Sequence, residues 1–126
     1  MQFRFTDDQI MINDTADAFL SEVSSSEAVR TAMATECGYD DEVWGRIVEE
    51  MIWTGTHVPE FFGGLSLGYV ELTIILEQMG RYLLCSPFYS SVCLAQNALL
   101  IAGSESQKSE YLKSLISGEK ATLAYT

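Results

Sequence analysis

At 126 residues the chain is long enough for one domain with a sizeable core and too short for two. Its net charge of −11, from seven basic and 18 acidic residues, repels nucleic-acid phosphates and anionic lipid headgroups. With 48% hydrophobic and 20% charged residues and two prolines, the composition excludes disordered, collagenous and Pro-rich classes and suits a packed helical domain.

Thr6, Asp7, Asp8, Gln9 is a capping-box pattern, so a first helix is expected from there. Ile12, Ala16, Phe19, Leu20 and Val23 follow at helical intervals until Ser24, Ser25 and Ser26 end it. A weakly apolar second helix spans Glu27 to Ala34 and closes at Cys37-Gly38. Asp40, Asp41 and Glu42 suit the positive end of a third helix, whose apolar face runs through Val43, Trp44, Ile47, Val48, Met51 and Ile52. Residues 54–64 read as a connecting loop, because Pro59 removes a donor and Gly63-Gly64 frees the backbone.

A fourth helix is expected between Ser66 and Tyr82, with Leu72, Ile75, Leu76 and Met79 in one stripe and Val70 and Ile74 in a second, implying contact on two sides. Ser86-Pro87 starts a fifth, and from Phe88 to Ala102 the apolar residues run nearly all round it. The rest of the bundle does not readily cover such a helix, so an exposed patch should remain. Ser104 to Gln107 is a second capping box, opening a helix with Tyr111, Leu112, Leu115 and Ile116 inward and Lys108 and Lys113 outward, ended by Ser117-Gly118. Ala121 to Thr126 carries β-favouring residues and reads as the opening of a strand. The expected fold is all-α, an orthogonal or up-down bundle of about six helices over residues 1–120, with residues 121–126 opening a β-domain.

The residues themselves point to no reaction. Cys37, Cys85 and Cys93 are odd in number and lack C-x-x-C spacing; this, with no leader pattern at the start, fits a reducing, cytoplasmic setting. Cys85 and Cys93, in apolar surroundings, read as buried structural thiols. A membrane-spanning reading of residues 82–102 fails on Ser86, Pro87, Ser90, Ser91, Gln96 and Asn97. His57, the only histidine, has no companions for a metal site and reads as a loop residue without catalytic role. Asp40-Asp41 and Glu49-Glu50 diverge on a helix and read as capping or solvated groups, not an acid/base pair. Gly63, Gly64 and Gly68 connect two helices, which is not the setting of a dinucleotide cradle.

From Trp53 through Thr54, Gly55, Thr56, His57, Val58, Pro59, Glu60, Phe61, Phe62, Gly63 and Gly64 to Leu72, the chain resembles the N-terminal helical domain of FAD-dependent acyl-CoA dehydrogenases. The likeness continues in order through Glu77 to Arg81, Ser86 to Phe88, Ala102 to Lys108, Tyr111-Leu112, Ser117 to Glu119 and Ala124 to Thr126. His57 stands where the family more often has an apolar residue, and Phe61-Phe62 where Glu-Tyr is commoner.

The resemblance implies a β-sandwich-like domain and a C-terminal helical bundle outside this chain, which hold most of the FAD. It also implies a reaction in which a C-terminal glutamate takes the α proton of an acyl thioester and the β hydride passes to flavin N5. No residue here takes the catalytic role, so this chain alone is expected to be inactive. Ala124, Tyr125 and Thr126 match the opening of the family's Thr-Glu-Pro motif and are the implied cofactor contacts. Ser90, Ser91 and Leu94 are the implied acyl-CoA contacts, the small side chains at 90 and 91 leaving room beside the flavin for a ring-bearing or branched acyl group. The implied assembly is a homo- or hetero-oligomer. From a different class, a non-catalytic helical adaptor would meet a partner through the same apolar helix face.

Overall fold

A computed structural model describes residues 3–125. Its first helix, α1 (Asp7–Val23), begins at the expected capping box: the Gln9 amide donates to Thr6 Oγ1 at 3.2 Å, and the Thr6 amide donates to Gln9 Oε1 at 3.0 Å. Helix α2 (Ser26–Met33) is capped by Ser25, and α3 (Asp41–Glu49) by Asp40, whose carboxylate accepts from the amides of Glu42 and Val43. Helix α4 (Tyr69–Arg81) starts at Gly68, whose amide donates to the Glu71 carboxylate. The last helix, α6 (Glu105–Ile116), repeats the box at Ser104 and Gln107.

Helix α3 stops earlier than its apolar pattern suggests. The Met51 amide reaches back to the Arg46 carbonyl, and Ile52 then takes a left-handed φ of 56°, which turns the chain away. The fifth helix departs more. Residues Tyr89–Gln96 form a π-helix that runs into α5 (Asn97–Ala102). Where the register tightens, the Asn97 amide goes to the Leu94 carbonyl, and the Asn97 side chain donates instead to the Cys93 carbonyl at 2.9 Å. Residues 121–125 form no strand among the described residues, since no second strand is present for them to pair with.

The main core joins Ala16, Phe19 and Leu20 of α1, Trp44 and Ile47 of α3, Leu72, Ile75 and Met79 of α4, and Phe88 and Val92 of the fifth helix. Helices α1 and α4 lie side by side in the same direction. Three polar rungs join them: Gln9 to Glu71 and Gln78 to Asn13, each at 2.8 Å, and Arg81 to Asp17 at 2.7 Å. A smaller core gathers Val58, Phe62 and Leu112 with Leu99, Leu100 and Ile116. Ile74 is buried while Val70 is exposed, so the second stripe of α4 is covered only in part. Tyr111, expected inward, is about half exposed, and Lys108, expected outward, is largely covered beside Glu105.

The loop after α3 is buried rather than superficial. Trp53 to Val58 are all buried, with short 3-10 turns at Trp53–Gly55 and Glu60–Phe62. Its backbone is satisfied by its own return leg: Leu65 donates to Gly55, Ser66 to Val58 and Leu67 to Thr56. Among the described residues no helix is long and apolar enough to cross a membrane.

Candidate functional site

The fifth helix is covered on one side only. Phe88, Ser91, Val92, Ala95 and Gln96 are buried, whereas Tyr89 is 61% and Ile101 81% exposed. The expected uncovered apolar face is therefore present. Ser90 and Leu94 sit half-buried at its margin, and the Ser90 hydroxyl donates to the Pro87 carbonyl at 3.0 Å. Ser91 does not share that face. It is wholly buried, its hydroxyl donating to the Ala121 carbonyl at 3.2 Å and accepting from the Ala121 amide at 3.0 Å. The three expected acyl contacts are therefore split, two beside the open face and one behind it under the C-terminal strap.

That strap leaves α6 through left-handed Gly118, whose carbonyl accepts from Trp44 Nε1 at 3.0 Å. Lys120 pairs with Asp41 at 3.2 Å and lies over the Tyr39 ring. Between the strap, α6 and α5 is a cavity of about 530 Å³ whose walls include Ala95, Ala98, Leu99, Ala102, Leu115 and Leu123. Neither Ser90 nor Leu94 lines it. Beyond Ala121 the chain is exposed, with Tyr125 79% and Ala124 also open to solvent. Thr126, the remaining expected cofactor residue, lies outside the described residues.

The backbone groups of residues 122–125 make no hydrogen bond among the described residues, so they are free to meet one edge of a flavin ring. The basic side chain on this strap, Lys120, is already engaged with Asp41. With a net charge of −11 overall, nothing here cradles a diphosphate. The free backbone of residues 124 and 125 is compatible with the expected contact to the ring edge of FAD, and the strap offers no group for the rest of that cofactor.

Sequence reasoning missed a part-buried polar hub centred on Asn97. His57, read as an ordinary loop residue, is 8% exposed, and its Nε2 lies 3.0 Å from Asn97 Oδ1. The Tyr69 hydroxyl donates to the same oxygen at 3.0 Å. Because the Asn97 amide nitrogen serves the Cys93 carbonyl, Oδ1 is the acceptor and His57 carries its proton on Nε2. Burial pulls the imidazole below its usual value near 6.5, opposed by the Asn97 bond, so the ring is held neutral. Beside it, Gln96 Nε2 donates to the Thr54 carbonyl at 2.9 Å, and Thr54 Oγ1 donates to the Ile116 carbonyl at 2.6 Å. The signal was available: Gln96-Asn97 is a polar pair inside an otherwise apolar run, and a buried amide needs partners.

Of the three free thiols, Cys37 is exposed and Cys85 and Cys93 are half-buried. Burial pushes the Cys93 thiol up to about 11, which keeps it protonated and unreactive. No cluster of metal-binding side chains exists among the described residues.

Comparison with known proteins agrees with this architecture. Residues 6–119 match the family model for the acyl-CoA dehydrogenase N-terminal domain. The chain is 31% identical over 115 residues to acyl-CoA dehydrogenase IpdE2 of Mycolicibacterium smegmatis, covering 91% of this chain and 35% of that protein. It is 30% identical over 119 residues to the mitochondrial isovaleryl-CoA dehydrogenase of Arabidopsis thaliana, covering 91% of this chain and 28% of the relative. Among solved structures, the ChsE4-ChsE5 complex of Mycobacterium tuberculosis matches with a TM-score of 0.83 and 27% identity over 94% of this chain and 32% of the other. The chain thus spans about a third of the length of the relatives it matches. Nothing in these matches favours the adaptor reading. The family match over residues 6–119 and the shared helical architecture lead to one conclusion: this chain belongs to the acyl-CoA dehydrogenase family of flavoprotein oxidoreductases, of which it comprises the N-terminal helical domain.

Proposed function

We propose that the chain is the N-terminal portion of an FAD-dependent acyl-CoA dehydrogenase acting on an acyl-CoA thioester. In this reading the open face of the fifth helix, with Ser90 and Leu94 at its margin, forms one wall of the acyl site. Residues 124–126 meet the flavin ring, and residues 121–126 open a β-domain. FAD, when bound, supplies the hydride acceptor. The domain's own work is to exclude water from one side of the acyl group and to hold the backbone that meets the flavin. The base that takes the α proton and the groups that hold most of the cofactor belong to parts of the protein outside this chain. The domain by itself is therefore inactive.

The observation that carries this reading is an apolar helix left uncovered beside a strap whose backbone is free, in a domain of this family. That ChsE4-ChsE5 is a complex supports an oligomeric enzyme here, with like or unlike subunits. The setting is a reducing, cytoplasmic one, in keeping with three free thiols. The test is to purify the protein encoded by the whole reading frame that contains these residues. Its flavin content is measured, and a panel of straight, branched and ring-bearing acyl-CoA thioesters is assayed for reduction of an artificial electron acceptor. A yellow protein that turns over at least one thioester is expected. A colourless protein that turns over none overturns the reading.

A further inference from the structure

Ser91 stands apart from every other hydroxyl on the fifth helix. A serine inside a helix ordinarily spends its hydroxyl on a carbonyl three or four residues back, as Ser90 does on Pro87. Ser91 instead turns outward from the π-helix and makes two bonds to a single residue of the strap, accepting from the Ala121 amide and donating to the Ala121 carbonyl. Two bonds to one residue fix the peptide planes on both of its sides, as one rung of an antiparallel ladder would. Ser91 is wholly buried and Ala121 half-buried, so water has only limited access to either bond.

The clamp is also the last tie on the strap. Upstream, Gly118 is held by Trp44 and Lys120 by Asp41. Downstream, residues 122–125 have no hydrogen bond among the described residues. Ala124 lies three residues beyond the clamp, at most about 10 Å of chain, so an error in direction at Ala121 is carried into its placement.

We propose that Ser91 is a positioning residue: by clamping both sides of Ala121 it sets where residues 124 and 125 meet the flavin, and it does not itself touch the acyl group. This rests on the function proposed above.

The test uses the full-length holoprotein with Ser91→Ala and Ser91→Cys; the cysteine keeps a weak donor and acceptor at similar size. Hydrogen–deuterium exchange over peptides covering residues 118–125 is expected to quicken by roughly ten- to a hundredfold in S91A and less in S91C, as losing both part-buried hydrogen bonds implies. In the same order, the flavin absorption maximum and reduction potential shift and kcat falls, while KM for the acyl thioester stays within about twofold. Unchanged exchange in S91A overturns the clamp and leaves the proposed function standing. Faster exchange with an unaltered flavin spectrum and potential overturns the positioning role. A raised KM with an unaltered flavin shows direct substrate contact and overturns it too. A holoprotein that takes up no flavin fails the proposed function first and this inference with it.

Discussion

Gly64 is irreplaceable on steric grounds. A Cβ built there would stand 2.0 Å from the Val58 carbonyl oxygen and 2.5 Å from its carbon, both backbone atoms of the buried loop that cannot yield. Gly64→Ala is expected to cost about 3 kcal/mol or more, seen as a collapse of the melting temperature. His57 gives a pH signature. Its folded pKa lies below the usual 6.5 because burial disfavours the charged ring, so the unfolded chain binds more protons in the window beneath 6.5. Its contribution to stability is therefore complete above 6.5 and drains away as pH falls through 6.5 toward the folded value. Melting should weaken between about pH 7.5 and 5.5, and His57→Gln, which can still donate to Asn97, should flatten that slope. Glu71, held low chiefly by its bond from Gln9, acts in a separate and more acidic window beneath 4.5.

At the scale of elements, what could be read from the sequence was whatever the chain settles locally. The capping boxes at Thr6 and Ser104 need only residues three apart, and the structure contains both. The stripes of α1 and α3 likewise name the core through Phe19, Leu20, Trp44 and Ile47. The buried loop was not legible, because its polar groups are satisfied by residues far along the chain. Thr54, a β-branched polar residue next to Gly55, reads as loop material until Ile116 and Gln96 are seen to bond it. The π register of residues 89–96 leaves no periodic mark in a segment apolar all round, and Ser91 cannot be told from Ser90 without the strap in place. Thr54→Val keeps shape and removes the hydroxyl, leaving the part-buried Ile116 carbonyl without its partner. The expected loss is about 1–3 kcal/mol in chemical denaturation, with α6 fraying from its C-terminal end in amide exchange.

At the scale of the molecule, a net charge of −11 on 126 residues makes the folded state repel itself. The ion pairs present are exposed and modest, so they do not offset this. Raising sodium chloride from about 10 mM to 150 mM shortens the screening length from roughly 30 Å to 8 Å. The melting temperature should then rise by about 4 °C, the equivalent of roughly 1 kcal/mol in a domain of this size. A fall instead would show that the pairs outweigh the repulsion. The side-by-side helices α1 and α4 bear on a different kind of experiment. Their rungs stand at residues 9, 13 and 17 against 71, 78 and 81, and the last joins opposite full charges, so a slip of one turn in either direction parts Arg81 from Asp17. Chimeras that graft the first helix of a relative onto this domain should seat correctly only when both columns of the ladder come from the same donor.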